Sequence, residues 1–303
     1  NDTVVDPNIV TYNAAILACA EGLDIDKAFQ LWDDLKKRGL EPTEVTYGSL
    51  MLACERVGSV KGTSQIFHAM QEQPETVDGS ATTERIQPNE IIYGAAISCC
   101  RKAGQPERTI ALFRKMINDG LAPNVATFNT VLMALTENSG ALDLDKAVLV
   151  YNLLRSTNHV PETTQPSRQT YNILIPAMAL NGRPDEAEFF LGEMTSDGLI
   201  PDVDLFTLTV ASYERKREPL KALRLMESMR RDGYDFYEIK VLDTAFKRAV
   251  RLANVVGTTL STSNKYRNDN GGGLQGHSTV DDINQNAPTN GISFEKGDFA
   301  TEG

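Results

Sequence analysis

The sequence predicts an all-α fold, an α-solenoid superhelix of stacked helix-turn-helix repeats. Three observations predict it: one phrase recurs, its copies stand about one two-helix unit apart, and the apolar residues between copies fall at helical spacing. The phrase is PNIVTYNA at Pro7, PTEVTYGS at Pro42, PNEIIYGA at Pro88, PNVATFNT at Pro123, PSRQTYNI at Pro166 and PDVDLFTL at Pro201. Each copy has an aromatic five places after its proline, and these aromatics (Tyr12, Tyr47, Tyr93, Phe128, Tyr171, Phe206) are spaced 35, 46, 35, 43 and 35 residues apart.

A first helix is expected at each phrase. Proline cannot prolong a preceding helix, and Asn8, Thr43, Asn89, Asn124, Ser167 and Asp202 after it belong to the class that caps helix N-termini. Sixteen places after the aromatic comes a small residue, at Ala28, Thr63, Thr109, Ala187 and Ala222; in the fourth unit it is Ala147, nineteen places on. Seven further on stands Leu35, Met70, Met116, Leu154, Met194 or Met229, with apolar residues three and four places in, such as Leu31 and Trp32 or Leu112 and Phe113. Spacings of 3, 4 and 7 form one stripe, so a second helix is expected there. Gly39, Gly120, Gly198 and Gly233 then occupy the place of a left-handed helix stop, with Asn158 in the fourth unit.

The surplus residues in the two long intervals localise near 74–85 (a stretch of loop composition), 138–142 and 156–165. A two-helix unit cannot bury both apolar faces alone, so neighbours must stack. Residues 7–236 are therefore expected to form six repeats, with 1–6 a leader or the end of an upstream repeat. YEIKVLDTAFKRAVRLANVV (237–256) is expected to be a helix covering the last repeat, and the polar stretch 257–303 a disordered tail.

Composition excludes several functions. No apolar run reaches the roughly 18 residues of a membrane helix. A formal charge of -11 opposes indiscriminate binding of polyanions. Cys19, Cys54, Cys99 and Cys100 form no CxxC pair, and His68, His159 and His277 sit in unrelated contexts. Neither a metal site, a cofactor nor a catalytic constellation is expected, nor a small-molecule substrate. Cys19, Cys54 and Cys100 stand seven places after their aromatics, where Leu135, Met178 and Tyr213 stand elsewhere, and are expected to be buried. The chain starts at Asn1 without a methionine and reads as a fragment or a processed product.

A helical pair of this period, with P-x-x-V-T-Y-N at its entry, A-x-x-L-F/W-x-x-M/L in its second helix and G-L-x-P at its exit, resembles the pentatricopeptide repeat family. The resemblance covers Pro7 to about Asp235. The tetratricopeptide pattern fits worse, since its W-x2-L-G-x2-Y first helix is not found. The resemblance implies recognition of single-stranded RNA, one base per repeat. It places base-packing side chains two before the aromatic, at Val10, Val45, Ile91 and Ala126, with Gln169 and Asp204 departing from the pattern. It places base-edge readers just after the aromatic, each with the capping residue of the next repeat. These pairs are Asn13 with Thr43, Gly48 with Asn89, Gly94 with Asn124, Asn129 with Ser167, Asn172 with Asp202, and Thr207 with Tyr237. Asn172 with Asp202 matches the family's uridine-preferring pair, the other two asparagine pairs look pyrimidine-compatible, and the glycine pairs leave the base undecided. Arg56, Lys102 and Arg215, nine after their aromatics, are implied phosphate contacts.

The implied role is in organellar RNA metabolism, in mitochondrion or plastid: processing, stability, editing or translation, by occupancy or by recruiting a processing enzyme, without catalysis in this chain. Two readings stand beside it. The acidic balance, the two glycine readers and the departures at Gln169 and Asp204 suit a protein-binding scaffold. The array also suits the repeat portion of a larger RNA-processing enzyme.

Overall fold

The computed structural model describes residues 6–72, 86–137, 141–156, 164–231, 233, 244 and 247–251. Twelve α-helices fall in six pairs: α1 (Ile9–Glu21) and α2 (Ile25–Lys37), α3 (Glu44–Val57) and α4 (Val60–Gln71), α5 (Glu90–Lys102) and α6 (Pro106–Asn118). The remaining pairs are α7 (Val125–Glu137) and α8 (Ala141–Arg155), α9 (Arg168–Leu180) and α10 (Pro184–Ser196), α11 (Val203–Arg215) and α12 (Pro219–Arg231). Residues 74–85, most of 1–6 and the whole of 257–303 lie outside the described residues, as do parts of 138–142 and 156–165. Of the expected helix over 237–256, residues 244 and 247–251 are described, and they are helical.

The first helices start where the phrase places a cap. Asn8 accepts from the Thr11 N–H (3.0 Å), Asn89 from Ile92 (3.0 Å) and Asn124 from Thr127 (2.9 Å). At Thr43 a reciprocal capping box forms, with the Thr43 N–H donating to Thr46 Oγ1 (2.9 Å). Ser167 N–H donates to Thr170 Oγ1 in the same way (3.0 Å). Asp202 departs from the expectation: its side chain makes no cap bond, and its carboxylate instead accepts from Arg168 Nη1 (3.3 Å). Five of the second helices begin either at a capping side chain, Asp24 or Ser59, or at a proline in the first turn, Pro106, Pro184 or Pro219. Proline suits that place because its missing N–H would be unpaired there anyway. The stops behave as the sequence requires: Gly39, Gly120, Gly198 and Gly233 have φ of 72°, 80°, 74° and 92°. After three of these glycines the next residue, Leu40, Leu121 or Leu199, donates back to the carbonyl of Leu35, Met116 or Met194, closing the helix end.

First helices pack in a row, α1 on α3, α3 on α5, and so on to α11, while each second helix packs on its own first helix and, from α2 to α10, on the first helix that follows. The repeated aromatic lies in that junction, buried in every unit. In four units it meets a ring from the preceding second helix: Trp32 with Tyr47 (centroids 6.3 Å apart), Phe67 with Tyr93 (5.3 Å), Phe113 with Phe128 (5.2 Å) and Tyr151 with Tyr171 (6.1 Å). Such pairs contribute about 0.5–1.5 kcal/mol each beyond the area they bury. The small residues sixteen or nineteen places on, from Ala28 to Ala222, are buried as well. They let the second helix come close to the first.

Tyr93 and Tyr171 donate to Asp119 and Asp197, which end α6 and α10. Burial, and then the neighbouring carboxylate, push both phenols above the usual tyrosine range. Cys54, Cys99 and Cys100 are buried; Cys19 is only half-buried, because no described helix packs ahead of α1. Burial pushes the Cys54 thiol up to about 12 and the Cys100 thiol up to about 11.

A Cβ at Gly62 would lie 2.6 Å from Cys54 Sγ and 3.0 Å from Phe29 Cζ, whereas a Cβ at Gly192 meets nothing within 4 Å. Gly62→Ala should lose about 1 kcal/mol, the overpacking cost exceeding the gain in helix propensity, and Gly192→Ala should gain about 0.5–1 kcal/mol; urea midpoints by circular dichroism check both. In the native protein a disulfide-exchange reagent at mildly alkaline pH should titrate Cys19 quickly and the other three thiols only on unfolding. A raised folded-state pKa leaves stability intact below the unfolded value and removes it above. The same midpoint should therefore hold to about pH 8 and fall progressively as the pH rises past about 9.

Candidate nucleic-acid interface

The N-terminal turns of the first helices carry one exposed position per unit, two before the buried aromatic. Val10 is 68% exposed, Val45 62% and Ile91 75%. Ala126, Gln169 and Asp204 are exposed at the same place. Large apolar side chains cost free energy in water, and here three of them stand exposed at equivalent positions in successive units. The next candidate position, three residues on, lies on the same helix face.

At that position the units differ. Asn13 is half-buried; its Nδ2 donates to Thr43 Oγ1 (3.2 Å) and its Oδ1 accepts from Thr46 Oγ1 (2.6 Å). Asn129 repeats the arrangement on the fifth unit, donating to Ser167 Oγ (3.4 Å) and accepting from Thr170 Oγ1 (2.8 Å), and is 3% exposed. Asn172 is exposed and makes no hydrogen bond among the described residues, since Leu205 stands where a threonine hydroxyl would reach it. Its backbone carbonyl also lacks the helical donor of residue 176, which is proline. Gly48 and Gly94 leave open space, and the nearest atom to a Cβ at Gly94 is Thr127 Oγ1 at 4.0 Å. Thr207 Oγ1 donates within its helix to the Val203 carbonyl (2.9 Å). Its partner Tyr237 lies outside the described residues.

The capping residues turn their oxygen to the helix. Asn89 and Asn124 spend Oδ1 on Ile92 and Thr127, which leaves their amide N–H groups for a ligand. Asp202 is exposed and paired with Arg168, whose Nη1 also donates to the Ile200 carbonyl (2.8 Å).

The three cations have different surroundings. Lys102 Nζ donates to the Glu55 carbonyl and to Glu55 Oε1, both at 3.2 Å. Arg215 Nη2 donates to the Ala179 carbonyl (3.0 Å) and Nε to the Ala211 carbonyl (3.3 Å). Both therefore hold the carbonyl end of the preceding first helix, where a cation is favoured. Arg56 is exposed with no hydrogen bond or ion pair among the described residues. The aligned first-helix N-termini add partial positive charge beside the exposed column, although Glu44, Glu90 and Asp204 stand in their first turns.

The residues that orient the asparagines, Thr46 and Thr170, escape a reading that considers one unit at a time. Their signal was present: the aromatic is preceded by threonine in four of the phrases, at Thr11, Thr46, Thr127 and Thr170. Among the described residues no group of His, Cys, Asp or Glu is arranged to hold a metal ion. No helix there is long and apolar enough to cross a membrane.

The sequence profile of the PPR repeat family matches residues 7–56 and 88–137, and that of the PPR repeat matches 169–199 and 205–234. The chain belongs to the pentatricopeptide repeat family. It is 24% identical, over 83% of its length, to the mitochondrial 15S rRNA processing factor CCM1 of Yarrowia lipolytica, of which it covers 26%. It is 27% identical, over 70% of its length, to a mitochondrial pentatricopeptide repeat-containing protein of Arabidopsis thaliana, of which it covers 40%. Among solved structures, the pentatricopeptide repeat protein PPR10 from maize superposes with a TM-score of 0.51 at 22% identity, covering 83% of this chain and 34% of that one. Nuclear proteinaceous RNase P 2 of Arabidopsis thaliana gives 0.53 at 13% identity, covering 68% and 42%. The chain thus spans well under half the length of each of these proteins.

Proposed function

We propose that the repeats bind single-stranded RNA along the first-helix row and act in organellar RNA metabolism, in mitochondrion or plastid. The observation that carries this reading is the exposed column at Val10, Val45, Ile91 and Ala126, with a polar or empty position beside each one on the same helix face. A base packed on the column would have its edge opposite Asn13, Gly48, Gly94 and Asn129 and the caps Thr43, Asn89, Asn124 and Ser167. Stacking and packing of this kind contribute roughly 1–3 kcal/mol per base. The name of the Yarrowia relative, a mitochondrial rRNA processing factor, supports the compartment and the class of process.

The action we assign is occupancy. RNA laid along the row is covered, so nucleases are excluded, a neighbouring segment is exposed, or a processing enzyme is brought to it. Catalysis belongs to that partner or to another part of a longer protein. Asn172 with Asp202 supplies the fifth reader pair, and Thr207 the first member of the sixth. Of the cations, Arg56 is the one we assign to phosphate, because Lys102 and Arg215 are engaged with carbonyls of their neighbours. A protein-binding scaffold is the second reading, favoured by the net charge of -11, and the same experiment separates the two.

Fluorescence anisotropy against single-stranded RNA, a matching duplex and single-stranded DNA should show saturable preference for the first. Binding at neither low nor moderate salt would sink the reading and turn the search to basic peptides. Arg56→Ala should weaken binding uniformly across sequences and reduce the slope of log affinity against log salt by about 0.7, one single-strand phosphate contact. Lys102→Ala should leave that slope unchanged.

A further inference from the structure

The carboxamides of Asn13 and Asn129 are held by the first turn of the following repeat, by the two corresponding hydroxyl oxygens each time. Thr46 has one hydroxyl proton and donates it to Asn13 Oδ1 (2.6 Å); its oxygen accepts from the Thr43 N–H (2.9 Å). Thr43 Oγ1 in turn accepts from Asn13 Nδ2 (3.2 Å) and lies 3.2 Å from Thr46 Oγ1. Since the Thr46 proton is committed, Thr43 is the donor of that last pair. The ring is then closed: one N–H of Asn13 is its only donor left over. Thr170, Ser167 and Asn129 repeat it, with Thr170 Oγ1 to Asn129 Oδ1 at 2.8 Å and Ser167 N–H to Thr170 Oγ1 at 3.0 Å.

We propose that the threonine preceding the aromatic, Thr46 and Thr170, is a positioning residue for base recognition in the repeat before it. It fixes which end of the asparagine carboxamide faces the base. An unheld carboxamide flips, and presents a donor or an acceptor with similar ease. A held one keeps its oxygen on the threonine hydroxyl and offers its spare N–H, and so favours bases that place an acceptor there. Base choice at one position then depends on three residues in two repeats: the asparagine, the cap and this threonine. The proposal rests on the RNA-binding reading above.

The two glycine units supply a test in which asparagine and cap are identical. At both Gly48 and Gly94 the capping partner is asparagine, Asn89 or Asn124, but the residue before the next aromatic is Ile92 in the first case and Thr127 in the second. A Cβ meets nothing within 4 Å at Gly48, and at Gly94 only Thr127 Oγ1 at 4.0 Å. Thr127 now donates to Asn124 Oδ1 (3.1 Å), which keeps its bond from the Thr127 N–H when the hydroxyl turns to a new carboxamide.

The experiment is selection from a single-stranded RNA pool randomised throughout the bound window, with base frequencies read at each register position. It uses wild type, G94N, G48N, the double variant G94N/T127V, and T46V with its conservative partner T46S. G94N should gain a base preference of about fivefold at one position, the equivalent of one net hydrogen bond. That gain should vanish in G94N/T127V and be absent from G48N. T46V should flatten the preference at the first unit's position and T46S should keep it, with preferences elsewhere unchanged. Should T46V unfold the cap, as melting by circular dichroism would reveal, the glycine variants still decide the matter. Equal gains in G48N and G94N, or a gain that survives T127V, would overturn the positioning role while leaving RNA binding intact. A wild-type protein that enriches no RNA would overturn the RNA reading, and the positioning role with it.

Discussion

Everything in this fold depends on one junction: a second helix seated between its own first helix and the next. Neither helix of a pair can cover its apolar stripe alone, and the junction covers both at once. The ring pairs from Trp32–Tyr47 to Tyr151–Tyr171 sit at its centre, and the buried small residues beneath them set how closely the helices approach. Because each unit touches only its neighbours, stability accumulates as unit terms plus nearest-neighbour terms. The spacing of the exposed column is therefore fixed by the core. Any ligand read along the row is read at an interval the aromatic junction dictates.

The same few residues answer two demands at each first-helix start. An N-cap must supply an oxygen to the first turn, and a reader must supply a polar group to a ligand. Asn89 and Asn124 meet both with one amide, oxygen inward and nitrogen free. Thr43 and Ser167 meet them through their neighbours, since their hydroxyls are shared with the preceding asparagine. Charge is divided in a comparable way. Lys102 and Arg215 stand in the register of phosphate contacts yet hold carbonyls of the preceding helix, so the units cohere partly through cations that a reading of composition would assign to solvent or ligand.

The helical pairs, the buried stripe and the glycine stops were legible in the sequence because each is a local rule repeated at a fixed period. Repetition turned weak signals, a proline here and a glycine there, into a pattern with one physical explanation. What was not legible depends on pairs of residues some 30 to 40 places apart. Which hydroxyl holds Asn13 cannot be told from the unit containing Asn13, because the hydroxyl belongs to the next. Asp202 fails as a side-chain cap for a similar reason: Arg168, one repeat away, competes for its carboxylate. Cys19 departs from its equivalents because burial is a property of what packs alongside, and the first helix has a described neighbour on one side only.

The shared hydroxyls also tie neighbouring units together at two places along the polar edge, α1 to α3 and α7 to α9. The oxygen that steadies the start of α3 is the one that steadies a side chain of α1. Pulling that side chain toward a ligand slackens the neighbouring helix end, and such a cap holds about 1 kcal/mol. These two pairs of units are thus linked at their helix starts, with neither unit needing to turn or slide. Where Gly48 and Gly94 interrupt the series the coupling is absent, and tension on one side does not pass to the other. Along its polar edge the array is jointed at Gly48 and Gly94, and again at Asn172, where Leu205 offers no hydroxyl.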